Sequence, residues 1–268
     1  MTGIGSDIAA VLGEVGTIVQ IERPGETTFT EKVDVSTPSR VSHPFIREFL
    51  AEASLPNSTK MLAGDILHIL ISNRMYMIMS LVPEYFENEI IEYGAYLYKC
   101  NKTALCLVMT EDEQWDARYH KSPSWVPIYE KLVPVLLHDK QAFDRAITLK
   151  EEWSNFAMIS NELYISGFYA LPPMARLRLF ETVVTDYEFW DQYITYPAGK
   201  IILADDFRAF RSLIANNLGN DPCAEFDEFD EYSVLSWREI PYRDIKIERV
   251  DLSRFENVLV YNATEDLR

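Results

Sequence analysis

The span from Ala63 to Asn101, AGDILHILISNRMYMIMSLVPEYFENEIIEYGAYLYKCN, constrains the fold more than any other part of the chain. Gly64-Asp65 reads as a turn, residues 66–71 as an apolar strand, Ser72-Asn73-Arg74 as a reversal and residues 75–82 as a second strand. Residues 83–89, PEYFENE, read as a loop. In residues 90–100, Ile91, Tyr93, Ala95 and Leu97 alternate with Glu92, Gly94, Tyr96 and Tyr98, the period of a long third strand. The result is a three-stranded meander. Both faces of the third strand carry large side chains, which suits a sheet with a core on one side and another layer or subunit on the other. Residues 66–83 are apolar as a block, but Ser72, Asn73 and Arg74 divide them into pieces too short to cross a membrane as a helix.

Elsewhere the pattern is again mostly of period two. Ser6 caps a short helix with Ile8, Val11, Leu12 and Val15 at helical spacing, ended by Gly16. Residues 17–21 form a strand, Pro24-Gly25 a turn, and the threonine-rich ETTFTEKVDVST a second, exposed strand. Residues 43–54 read as a helix, with Pro44 in the first turn, Phe45, Phe49 and Leu50 on one face, and Pro56-Asn57 as the stop. Residues 128–145 read as partly helical, limited by Pro134. Strands are expected at 162–171, 178–185 and 200–203, with a turn at Asp205-Asp206 and two further strands in 245–262. The polar, tryptophan- and proline-containing stretch 111–127 marks a boundary between a module at 1–110 and another at 111–268. A short echo, AGDILHIL from Ala63 and AGKIILAD from Ala198, points to two similar β modules in tandem. The expected fold is mainly β: one or two β-barrel or sandwich modules with a few short helices.

Chemistry is sparse by comparison. The chain carries 42 acidic against 25 basic residues, a net charge of −17, which repels nucleic acid and favours solubility. Cys100, Cys106 and Cys223 are odd in number and contain no C-x-x-C, so neither a disulfide framework nor a zinc site is expected, and a reducing compartment fits. The beginning, MTGIGSD, has no basic region followed by an apolar core. His43, His68, His120 and His138 form no metal-binding spacing, and His68 reads as a hydrogen-bonded structural group within a strand. No G-x-S-x-G, P-loop or G-x-G-x-x-G occurs. Catalytic, cofactor and metal residues are therefore expected to be absent. Two acidic clusters remain. The segment CAEFDEFDEY, 223–232, reads as a solvated loop over Phe226 and Phe229, with a carboxylate-based cation or hydrolase site as the alternative. In the loop at 83–89, Glu84, Tyr85, Phe86, Glu87 and Glu89 set large aromatics beside charges, the composition of a subunit contact or a channel lumen; a loop folded back on its own module is the other reading.

The segments EVGTIVQIER (14–23), PFIREFLAEASLP (44–56), GDIL (64–67), residues 76–101 and the closing RFENVLVYNATEDLR resemble head-tail connector proteins of tailed bacteriophages, the adaptors, stoppers and collar components of the neck. This resemblance covers mainly residues 14–101 and the last fifteen. It implies a β-barrel or sandwich module, assembly of copies into a ring on the virion axis between portal or adaptor and tail proteins, DNA passing without specific binding, no membrane, no cofactor and no enzymatic activity. The chain is longer than compact stopper proteins, and a tail-side component such as a terminator, tube or baseplate protein is the alternative position.

Overall fold

A computed structural model describes residues 3–36, 50–109, 125–129, 132–138, 161–180, 188–223, 236–250 and 255–265. The chain is mainly β with two closed six-stranded barrels. Helix α1 (Ile4–Val15) leads into the first barrel, built from β1 (Thr17–Glu22), β2 (Phe29–Ser36), β3 (Leu50–Pro56), β4 (Ile66–Ile69), β5 (Arg74–Phe86) and β6 (Glu89–Lys99). Its strands run β1-β2-β3-β6-β5-β4 around the barrel, every neighbour antiparallel.

Barrel two takes β7 (Lys102–Met109), β9 (Val133–His138), β10 (Asn161–Ser166), β11 (Arg176–Phe180), β18 (Tyr242–Arg249) and β19 (Val258–Glu265), with β8 (Trp125–Pro127) added on the edge of β7. Around the barrel they run β7-β9-β10-β19-β18-β11, again all antiparallel and closed by β11 on β7. Counted from each barrel's own first strand, both orders are 1-2-3-6-5-4. The register agrees as well. Val33 of barrel one takes the place of Val135, Ala53 of Leu163, Ala95 of Tyr261, Met77 of Lys246, Leu67 of Leu177 and Val19 of Ala104, and these correspondences close around the ring up to the register shift between Ile78 and Ser80 of β5. Even the connection before the fourth strand is the same length: β3 ends at Pro56 and β4 begins at Ile66, while β10 ends at Ser166 and β11 begins at Arg176.

Each barrel is filled by side chains of alternate residues, as period-two strands require. The fillings complement one another in size. Barrel one has Val19, Ile21 and Leu97 where barrel two has Ala104, Cys106 and Ala263, and it has Ala53 and Ala95 where barrel two has Leu163 and Tyr261. Similar interior volume is thus reached with different residues, which a close-packed core tolerates.

The barrels meet through their outer surfaces. Ile66, Met75, Met77, Met79 and Cys100 of the first pack on Leu136, Tyr164, Val258 and Val260 of the second, with Tyr98 edge-on to Tyr164 and Phe255. The chain crosses at Asn101, whose backbone N–H donates to Val135 O and whose side chain exchanges two hydrogen bonds with Leu137. Asn257, in the left-handed region at φ 53°, lies between the barrels. Its carbonyl oxygen accepts a 2.7 Å hydrogen bond from Gly167 N, and it would lie 2.3 Å from a Cβ on Gly64. Beside it, Asp65 is fully buried and forms a bidentate pair with Arg23 at 2.7 and 2.8 Å, while the Arg23 guanidinium also sits over Phe168 of barrel two.

Between β11 and β18, where barrel one has only the turn Leu70–Asn73, barrel two carries an insert. It comprises β12 (Glu188–Phe189), β14 (Ile201–Leu203), β15 (Ala209–Ser212) and β17 (Trp237–Glu239) in one sheet, and β13 (Thr195–Tyr196) paired with β16 (Asn217–Leu218) in another. Leu203, Ala209 and Ile240 of the insert cover Leu105, Leu107 and Phe180 of barrel two.

Several expectations need correction. Leu50–Pro56 is a strand, not the end of a helix over 43–54: Ala51, Ala53 and Leu55 alternate into the barrel, and pairing on both sides with β2 and β6 outweighs the helix propensity of the alanines. Residues 43–49 lie outside the described residues. Val133–His138 is likewise a strand rather than part of a helix. It admits Pro134 because β9 pairs with β7 over residues 133–135 and with β10 only over 136–138, so the proline has one neighbour. The expected loop at 83–89 is instead the end of a hairpin. The tandem-module expectation is met by the two barrels, but its second marker is misplaced: Ala198–Asp205 belongs to the insert, and the counterpart of the stretch before β4 begins after Ser166. Between barrels the changeover falls at Cys100–Asn101, and β7 belongs with the second.

Candidate interface: the hairpin arm

Strands β5 and β6 are longer than barrel closure needs. Their ladder runs from Tyr76 opposite Lys99 to Phe86 opposite Glu89, whereas the corresponding β18–β19 ladder is described only from Ile245 opposite Glu265 to Arg249 opposite Tyr261. On its other side β5 pairs with β4 only through Met77, and Ile78 N and O engage Asp65 O and Gly64 N. From Met79 to Phe86, about 25 Å of strand at ~3.3 Å per residue, that edge has no strand partner among the described residues. Pro83 and two register shifts, at Ile78/Ser80 and Glu84/Tyr85, fall on this length. Both devices blunt an open edge against indiscriminate pairing.

The five residues singled out from the sequence sit together at the tip. Glu84 pairs across the ladder with Glu92, Tyr85 with Ile90 and Phe86 with Glu89, and Glu87-Asn88 form the two-residue turn with φ values of 49° and 72°. Positive φ at both central positions matches the right-handed twist of a tight hairpin, and asparagine tolerates it well. Tyr85 is 63% exposed and Phe86 47%. Gly5 of α1 packs without room for a side chain against Asn57, Ile90 and Ile91, so the helix supports the arm on the β6 side.

Glu84 and Glu92 project from the outer face, since Pro83, Tyr93 and Ala95 follow the inward parity of Leu97. The Glu92 carboxyl is pushed above its ordinary range, first by partial burial, then by the charge and hydrogen bond of Glu84. Two carboxylates directly opposed on an antiparallel ladder repel. Glu92 was not legible as a site residue because its significance comes from register.

A second surface lies on barrel two. A cavity of about 400 Å³ opens between β8, β11 and β18, lined by Trp125, Met174, Arg176, Lys246 and Glu248 among others. The Arg176 guanidinium lies 4.5 Å from the Trp125 ring centroid, a cation–π stack. Next to it, Arg178 is buried, pairs bidentately with Asp244 and donates to Asp206 O, tying the insert to the barrel.

The remaining chemical candidates have structural roles or lie elsewhere. His68 bonds Asn73 across the β4–β5 turn at 2.9 Å, as a structural histidine. Cys100 and Cys106 are buried, and burial pushes both thiols up to about 12. Among the described residues no cluster of three or more His, Cys, Asp or Glu is placed to hold a metal ion, and no helix is long and apolar enough to cross a membrane. His43, His120 and the acidic run from Ala224 to Tyr232 lie outside the described residues. Comparison with protein families, characterised proteins and solved structures returns no match, so the functional reading rests on the geometry above.

Proposed function

We propose that this chain is a non-enzymatic structural protein of a tailed-phage virion, forming a ring of copies in the neck that joins the head to the tail around the DNA channel. The observation that carries this reading is the arm: barrel one extends a hairpin past closure and exposes Val82, Tyr85 and Phe86 on it, where the sister barrel's described ladder is shorter. Aromatic side chains on a rigid two-stranded support are the residues that contribute most at protein interfaces. A net charge of −17 adds support, because a wall that repels phosphate lets DNA pass without adhering. The apolar filling of both barrels leaves neither interior as a channel or substrate cavity, so in this reading the molecule builds wall.

The test is to make particles without this protein. DNA-filled heads lacking tails are the expected result. Heads bearing defective tails would move the protein to the tail side, and normal infective particles would overturn the reading.

A further inference from the structure

The matched register lets the outer faces of the two barrels be compared position by position. Where barrel two brings Leu136, Tyr164, Val258 and Val260 to the joint, barrel one has Asp34, Ser54, Glu92 and Gly94. Where barrel one brings Ile66, Met75 and Met77, barrel two has Arg176, Asp244 and Lys246. These three are engaged within the chain, Arg176 on Trp125 and Asp244 with Arg178 among their contacts. The two departures from the repeat, the arm and the insert, differ in this respect. Each carries two like charges directly opposed on neighbouring strands.

On the arm, Glu84 of β5 faces Glu92 of β6. Helix α1 comes up to β6 at Ile90 and Ile91 and leaves Val82, Glu84 and Tyr96 exposed. Val82, two residues from Glu84 on the same face, lies opposite Gly94, which has no side chain to cover it. On the insert, Arg211 of β15 faces Arg238 of β17. Both are exposed, and neither has an ion-pair or hydrogen-bond partner among the described residues. The adjoining acid, Glu239, pairs with Arg208 instead. Leu213, two residues from Arg211, is exposed. Like charges directly opposed across a ladder destabilise it, so each pair holds a repulsion that a pair of opposite sign relieves. The footprints agree as well, because directly opposed residues on antiparallel strands stand about 5 Å apart at Cβ in both places.

We propose that copies of this chain join head to tail through these two places, the Glu84 and Glu92 pair of one arm seating on the Arg211 and Arg238 pair of the next copy's insert, with Val82 against Leu213. This rests on the ring reading and names its joint. The occupant is a second copy because one chain carries both pairs, of opposite sign and equal spacing, and they do not meet within it. Guanidinium on carboxylate gives charge-assisted hydrogen bonds. The same attraction steers encounter and fixes register. The contact is heterologous, so it repeats from copy to copy and closes into a ring when the rotation permits.

The experiment uses two forms of the full chain, one with Glu84→Arg and Glu92→Arg, the other with Arg211→Glu and Arg238→Glu. Association is followed by sedimentation velocity and light scattering across a range of salt. The native chain is expected to self-associate, and to do so less as salt rises. Each reversed form alone should lose at least about tenfold in affinity, because pairs of like sign then meet. An equimolar mixture of the two forms should recover the loss, since each arm again finds an insert of opposite charge. Circular dichroism of each form checks the fold. Oligomers that neither reversal weakens, or weakened forms that mixing does not restore, overturn the joint and leave the ring standing on another contact. A chain that stays monomeric at every salt and concentration overturns both.

Discussion

Barrel one and barrel two have the same strand order and register, yet they have little in common residue by residue. Inside, large and small side chains trade places and the volume is kept. Outside, apolar and charged residues trade places, and what each barrel can bind is changed. Closure therefore depends on parity and pairing, both tolerant of substitution, while the outer faces are free to specify neighbours. Barrel one used that freedom for an arm and an acidic face, and barrel two for an insert between its fourth and fifth strands.

The comparison is broken most severely at Asp65. Its counterpart in barrel two, by the matched connection, is Ala175, so the fold itself does not require an acid there. Asp65→Ala should nevertheless cost about 3–5 kcal/mol, because it takes the bidentate carboxylate from a mostly buried Arg23, which keeps only the exposed Glu26 and Lys60 O, and removes the acceptor of Leu62 N. Chemical denaturation measures this. A double variant, Arg23→Met with Asp65→Leu, should recover most of the loss; no recovery would mean the pair does more than satisfy its own charges.

Next comes the joint. Gly64→Ala places a Cβ 2.3 Å from Asn257 O in a backbone at φ 92°, and should cost about 2–4 kcal/mol through overlap and strain together. Gly25→Ala, at φ 83° with nothing within 4 Å, should lose only about 1 kcal/mol and separates the two causes. Equal losses in thermal melts would show that the close approach to Asn257 is unimportant.

A smaller effect of opposite sign is expected inside barrel two. Tyr169 is buried with its hydroxyl unpartnered among the described residues, whereas the matching Thr59 of barrel one donates to Glu31 at 2.9 Å. Tyr169→Phe removes the unsatisfied group and should stabilise by about 1 kcal/mol. A destabilised variant would mean that the hydroxyl has a partner.

Least in size is the carboxylate pair on the arm. Glu92 has a raised pKa in the folded chain, so its protonated form favours folding: that contribution is complete below the ordinary glutamate value and is lost as pH rises through the raised one. Glu92→Gln should abolish this dependence and stabilise the arm near neutral pH by about 0.5 kcal/mol, read as slower amide exchange at Tyr85 and Ile90. Unchanged exchange across that pH window would dismiss the repulsion.

Much of this fold is legible in the sequence, from alternation in β2 and β6, from β-branched residues in β1, and from short apolar runs bounded by turn signals in β4 and β5. It fails at β3, where Ala51, Glu52 and Ala53 also suit a helix, and at β9, where Pro134 hides a strand paired one side at a time. The repeat could be anticipated but not located, because positions as closely matched as Ile66 and Arg176 share only their place in a ladder. The acids and aromatics of the arm stand out as a cluster in the sequence. The faces they belong to do not, since Asp34, Ser54, Glu92 and Gly94 come together only after two separate strand pairings.

Asn257, wedged between Gly64 and Gly167, has a mechanical consequence. A backbone carbonyl seated against two glycines leaves no compliant side chain at that point, and Arg23 stacked over Phe168 resists slippage alongside it. The two barrels should tilt and twist as one rod. Stress applied to one end of the molecule would then reach the other undamped, whatever its neighbours prove to be.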